Sequence, residues 1–267
     1  MRLPRPDSRQ GGFTLIEMVV VMTITGLLVA IVAVFIQRPM QGLIDSVGRA
    51  ALADAADTAV RRLQRDLQAA LPNSVRLQQS GGVWYLEFLP VLGAGRYCSE
   101  ADCGAHPLDT RSAQSQLSFV GPALPAAVGA GNELVIYNLG VPGADAWAGD
   151  NVATLASHSG GLLNLGARRF PFASPGQRFH IVGGPVSYVC GNSELRRISG
   201  YARQPGQPLA TPAGAASALL ADGVASCQFE YLGNAIDQNG LLVLTLSLTR
   251  NQESVTLTHA IRILNQP

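Results

Sequence analysis

Three groups of residues in this 267-residue chain have the types and spacing for chemistry. The first is Gly11-Gly12-Phe13-Thr14-Leu15-Ile16-Glu17, set between a basic leader carrying Arg2, Arg5 and Arg9 and an apolar run that continues to Ile36. Glycine at position 12 suits a proteolytic cut, because it puts no side chain in a protease's way and its backbone adapts freely. Glu17 is the only charge between Phe13 and Ile36. A carboxylate inside a membrane segment costs about 2.5–3.5 kcal/mol at a helix centre and less near an end. A chain that keeps one there is expected to supply it with a partner. The second group is Cys98, Cys103, Cys190 and Cys227. The third is Asp145 and Asp150, which flank Trp147 in a loop-like stretch.

The even cysteine count, in a segment expected to be exported, predicts two disulfides. Of the three possible pairings, Cys98–Cys103 closes a small loop and Cys190–Cys227 joins two strand-rich regions, and these are favoured. The cysteines do not form paired CxxC motifs, so no metal is expected. The two aspartates could contribute to a calcium site, but their spacing matches no EF-hand loop, and an exposed aspartate-bearing loop is the simpler reading. His106, His158, His180 and His259 are scattered. GxSxG, HExxH and P-loop patterns are absent. No catalytic residue, cofactor or enzymatic activity is therefore expected. A formal net charge of +1 with dispersed arginines gives no footprint for nucleic acid.

The elements that position these residues follow from periodicity. Residues 13–36 would span about 36 Å as a helix, more than a hydrocarbon core of about 30 Å. The arginines ahead of the run hold the leader in the cytoplasm and send the rest across the membrane. A secretory signal peptide would have a shorter apolar run followed by a small-residue cleavage site. A plain signal anchor explains the span but neither Gly12-Phe13 nor Glu17.

From 43 to 71 the pattern becomes amphipathic. Leu43, Val47, Leu52, Ala56, Val60, Leu63, Leu67 and Leu71 lie near one face of a 3.6-residue period. Pro72-Asn73-Ser74 is a stop signal. Gly26, Pro39 and Gly42 are weak points, where Pro39 either loosens the helix or marks the membrane exit.

Residues 73–267 suffice for one domain. Strand-like runs occur at 83–89, 133–138, 179–182, 186–189, 227–232, 241–249 and 254–264, with a turn signal at Asn239-Gly240. The stretches 93–115, 139–178 and 200–217, rich in Gly, Pro and Ala, read as long loops. The fold class is α+β, a long N-terminal helix packed on a mainly antiparallel sheet.

Glycine, aromatic, glutamate and apolar run in this register resemble the class III leader of type IV pilins. The resemblance implies cleavage after Gly12 by a prepilin peptidase and N-methylation of Phe13. It also implies pairing of Glu17 with the N-terminal amine of a neighbouring subunit. The implied domains are a leader at 1–12, a transmembrane and assembly helix at 13–36, its amphipathic continuation at 37–72 and a β-rich head at 73–267. The stretch from Gly184 to Arg197 looks like the hairpin of large minor pilins related to J-type pseudopilins. Residues 37–42, 51–57 and 254–267 are similar to a minor pilin of the mannose-sensitive haemagglutinin (MSHA) pilus. These likenesses imply a minor pilin at a fibre tip, with the membrane, other minor and major pilins and an inner-membrane assembly platform as partners. Before assembly the head would be periplasmic on a single-pass inner-membrane anchor. A J-type pseudopilin of a type II secretion system, or an adhesive tip subunit, is the alternative.

Overall fold

The structure, a computed structural model, describes residues 12–233 and 239–267. Arg2, Arg5 and Arg9 lie outside the described residues. Helix α1 (Leu15–Gln68) is unbroken over 54 residues. It passes through Gly26, Pro39 and Gly42, since a helix that loses one N–H donor at proline can keep its remaining bonds. The chain divides into two compact units, Met1–Ala50 and Ala51–Pro267.

In the second unit α1 buries Leu52, Ala56, Ala59, Val60, Leu63 and Leu67, one face of a 3.6-residue period. One described position of the expected apolar face falls away from it. Val47, in the first unit, is exposed, and the side chain of Leu43 lies outside those described. The last turn tightens, with Ala69 N–H bonding Asp66 O and Ala70 N–H bonding Leu67 O. Asn73 then adopts φ 58°, and the Ser74 hydroxyl donates to Leu71 O at 2.7 Å. These contacts turn the chain out of the helix.

Fourteen strands follow among the described residues. β1 (Arg76–Ser80), β2 (Val83–Phe88), β9 (Val186–Gly191), β10 (Glu194–Ser199) and β11 (Ala216–Asp222) form an antiparallel sheet in that order. β12 (Val224–Leu232), β13 (Asn239–Arg250) and β14 (Glu253–Leu264) form a second. Leu242, Leu244, Leu246 and Leu248 alternate into the core, as the period of two in β13 predicts. The helix face and both sheets share one core, which includes Phe88, Tyr188 and Phe229. The fold is thus α+β and mainly antiparallel, consistent with the pilin-like class.

The remaining six strands close into a barrel in the order β3-β4-β7-β6-β5-β8. They are β3 (Val91–Tyr97), β4 (Gln114–Val120), β5 (Glu133–Ile136), β6 (Val152–Ser159), β7 (Leu162–Arg168) and β8 (Arg178–Val182). This corrects the loop reading. The stretch 139–178 holds the β6–β7 hairpin, and 93–115 begins within β3. The β6–β7 turn is Gly160-Gly161, at φ 54° and 81°, a backbone that glycine adopts without strain. In β3, a Cβ on Gly95 would lie 2.7 Å from the Phe179 ring, so glycine lets that ring cover the strand. A second correction concerns Asn239-Gly240. Both residues are inside β13, opposite Leu264 and Ile263, so the turn does not lie there. The β9–β10 hairpin does turn at Asn192-Ser193, both at positive φ.

Candidate processing and assembly site

Thr14 immediately precedes α1, and its hydroxyl accepts the Glu17 N–H at 3.3 Å. Thr14 O accepts the Glu17 and Met18 N–H groups at 3.1 and 3.2 Å. Thr14 is therefore the N-cap that starts the helix, within a T-x-x-E capping-box sequence of which the Thr14 half is formed. Sequence reasoning missed this role, although the T-x-x-E pattern before an apolar run was legible. Gly12 has open space where a side chain would stand. Phe13 is 77% exposed and Glu17 is exposed. Among the described residues no hydrogen bond reaches the Glu17 carboxylate.

Leu15–Phe35, 21 residues, is long and apolar enough to cross a membrane by length and composition, and none of it is buried within the chain. Further along, the Thr23 hydroxyl donates to Val19 O and Val20 O at 3.0 and 2.9 Å. That hydroxyl is satisfied inside the helix and does not interrupt its apolar surface.

The structure places the other candidates apart from this site. Cys98 is bonded to Cys103, and Cys190 to Cys227. The second bond ties β9 to β12, and so joins the two sheets across the helix-bearing core. Asp145 and Asp150 are used within their loop. Asp150 Oδ2 accepts the N–H groups of Gly143 and Asp145, and Asp145 Oδ1 accepts that of Trp147 at 2.9 Å. The cation held there is Arg168, whose guanidinium donates to Gly149 O and Asp150 O. Among the described residues no three His, Cys, Asp or Glu side chains gather where an ion could sit. His259 Nε2 lies 3.0 Å from Gln64 Oε1 on α1. His158 Nε2 lies 3.2 Å from Val128 O, and the His106 N–H bonds Ser118 Oγ. His180 is half-buried in β8, and its desolvation, with Arg178 nearby, lowers its pKa to about 4.

Two buried polar clusters brace the second unit. On α1, Asp66 accepts from the Tyr188 hydroxyl at 2.9 Å and from Arg197 Nε at 2.5 Å. Burial, and then the Asp66 charge, push the Tyr188 phenol well up. In β2, Glu87 is fully buried. It accepts from Arg76 Nε at 2.6 Å and from the Tyr201 hydroxyl at 2.7 Å. Burial is also the main cause that raises the Tyr201 phenol. Arg76 in turn lies 3.6 Å over the Trp147 ring. No local signal marks these partners, because 114 positions separate Glu87 from Tyr201.

Residues 7–33 match the family model described as "Prokaryotic N-terminal methylation motif". No curated protein and no solved structure matches the chain. The matched segment contains the scissile-type glycine, Phe13, the Thr14 cap and most of the exposed apolar helix. The motif, that helix and the two disulfides support a type IV pilin-like or pseudopilin-like protein. The motif implies processing by a prepilin peptidase and assembly with pilin-type partners, with the apolar helix suited to membrane anchoring.

Proposed function

We propose that this chain is a minor pilin, similar to MshO of the MSHA pilus, that helps initiate assembly and forms part of the tip complex of a type IV pilus. One observation carries the reading. The methylation motif coincides with an exposed apolar helix whose single charge, Glu17, has no hydrogen-bond or ion-pair partner among the described residues. Cleavage after Gly12 frees the amine of Phe13, which is then methylated. Two charges that are each costly in low dielectric pair best with one another. Glu17 of one subunit therefore takes the Phe13 amine of a neighbour, and this selects staggered packing of apolar helices. Retention of Glu17 places the subunit just below the extreme tip. Before assembly the head is periplasmic and the helix spans the inner membrane once, docked to an assembly platform.

The role is structural, with no catalytic residue and no cofactor. The large head, with fourteen strands among the described residues and distinct main cores in the sheets and the barrel, supports a low-copy subunit over one built for dense packing. The β9–β10 hairpin supports the second reading, a J-type pseudopilin moving folded proteins outward; an adhesive tip subunit is the third.

A clean deletion with complementation, scored for surface fibres and secreted protein in the same cultures, tests the assignment. Loss of fibres with normal secretion is expected. Loss of secretion with intact fibres would move the chain to the pseudopilins. No change in either would overturn both.

A further inference from the structure

We propose that residues 91–182 are an inserted module that folds as its own cooperative unit, and that the assembly-competent part of the chain is complete without it. β2 and β9 are direct antiparallel neighbours, with Phe88 opposite Val186, yet the whole barrel lies between them in sequence. The chain leaves the sheet at Leu89-Pro90 and returns at Gly183. At that point the Gly183 N–H bonds Pro90 O at 3.0 Å, and the first barrel pair, Val91 with Val182, follows at once. An insertion whose two ends already meet adds little loop-closure entropy to its host.

The two parts share no sheet, and the main core of each is its own; one smaller buried cluster is built from both. Each barrel strand pairs only with barrel strands. The barrel core runs from Tyr97 to Ile181, and every member lies within 91–182. The core of α1 and the two sheets has no member from that range. Each part also holds one disulfide, Cys98–Cys103 in the barrel and Cys190–Cys227 outside it. The barrel is closed and leaves no edge strand for its host to cover. About 90 residues with one core lie in the range of independent domains.

What joins the parts is this small shared cluster and a set of polar contacts. Val135, Val152 and Val182 meet Leu71 and Leu89. Arg203 makes a two-pronged pair with Glu133 at 2.8 and 2.9 Å. Trp147 Nε1–H donates to Ser74 O at 2.8 Å, and Asn138 Nδ2 donates to Pro72 O at 2.7 Å. These groups dock the barrel but complete neither main core. The division of labour rests on the assembly role proposed above; the folding claim does not.

Hydrogen exchange read by mass spectrometry on the full chain in detergent decides the folding claim. Leu155→Ala, in the barrel core, is expected to speed exchange of the core amides within 91–182 by about 30-fold or more and to leave those of β9 and β13 unchanged. Leu244→Ala is expected to do the reverse. Either variant speeding both regions alike would overturn the module. For the second half, the chain with 91–182 replaced by Asn-Gly is tested for the Cys190–Cys227 bond, processing and fibre incorporation beside the intact chain. This variant exposes Leu71 and Leu89, so the point variants stand independently of it. Incorporation of both chains is expected. Incorporation of the intact chain alone would overturn the claim that the barrel is dispensable. If neither is incorporated, the assembly role fails and the exchange pattern alone decides the module.

Discussion

Removing the two disulfides one at a time should have unequal effects, and the structure sets the order. Cys190–Cys227 closes a segment of 37 positions and Cys98–Cys103 one of 5. In the chain-entropy account a cross-link stabilises by restricting the unfolded chain, and the effect grows with the logarithm of loop length. The longer loop corresponds to about 4 kcal/mol and the shorter to about 2 kcal/mol. Burial does not set the order, because each bond has one buried cysteine, Cys98 and Cys190. The measurement is urea unfolding of the single-bond variants beside the parent, with free energies taken from midpoints at common slope. Cys190→Ala/Cys227→Ala should lose about 4 kcal/mol from the unfolding of β9 and β13, and Cys98→Ala/Cys103→Ala about half that from the barrel. A shorter-loop variant that costs as much as the longer-loop one would refute the loop-length reasoning.

Tyr201→Phe should cost about 2 kcal/mol in the same assay, because it leaves buried Glu87 without one of its two donors; a change under a few tenths would mean the hydroxyl is idle. His180 supplies a pH dependence. Its pKa falls from 6.5 unfolded to about 4 folded, so the unfolded chain binds a proton the folded one refuses, and stability is lost as pH drops from about 6.5 through 4. At about 1.4 kcal/mol per unit the loss reaches about 3 kcal/mol, and His180→Gln should flatten that part of the profile. Glu17→Ala and Glu17→Gln should both stay inserted and processed but enter fibres poorly, by immunoblot of sheared fibres. Assembly rescued by Glu17→Gln but not by Glu17→Ala would show that the position needs a polar side chain and not a charge.

How much of this was legible depends on whether the information is local. Gly12, Phe13 and Glu17 lie within six positions, and the apolar run announces itself by composition. β13 was legible because Leu244, Leu246 and Leu248 alternate with Thr245, Ser247 and Thr249. The barrel was not. β6 reads Val-Ala-Thr-Leu-Ala-Ser-His-Ser and β7 contains Asn164 and Gly166, so small residues blur the period of two. Its closure also depends on β3 meeting β8, with Val91 opposite Val182, a pairing that no window of sequence can register. Gly160-Gly161 was a readable turn within the supposed loop. The clasp of Glu87, Arg76 and Tyr201 left no mark at all, because buried polar partners are chosen by the fold and not by spacing.

The same contrast between local and long-range information bears on what the chain can vary. In the role proposed above, processing and pairing need only a cut site, a freed amine and one carboxylate, all within one short run of sequence that Thr14 caps. The parts beyond Gln68 depend on distant partners and tolerate change only where distant partners stay paired. The gap between Leu89 and Gly184 is such a place. The host sheet pairs β2 with β9 on one side of it, the barrel pairs β3 with β8 on the other, and the Gly183 N–H to Pro90 O and Val91 N–H to Ala69 O hydrogen bonds hold the crossing. Material added there changes neither the register of the host strands nor the chemistry at Gly12, Phe13 and Glu17. The head can therefore carry a second core while the N-terminal segment keeps the form that the methylation motif requires.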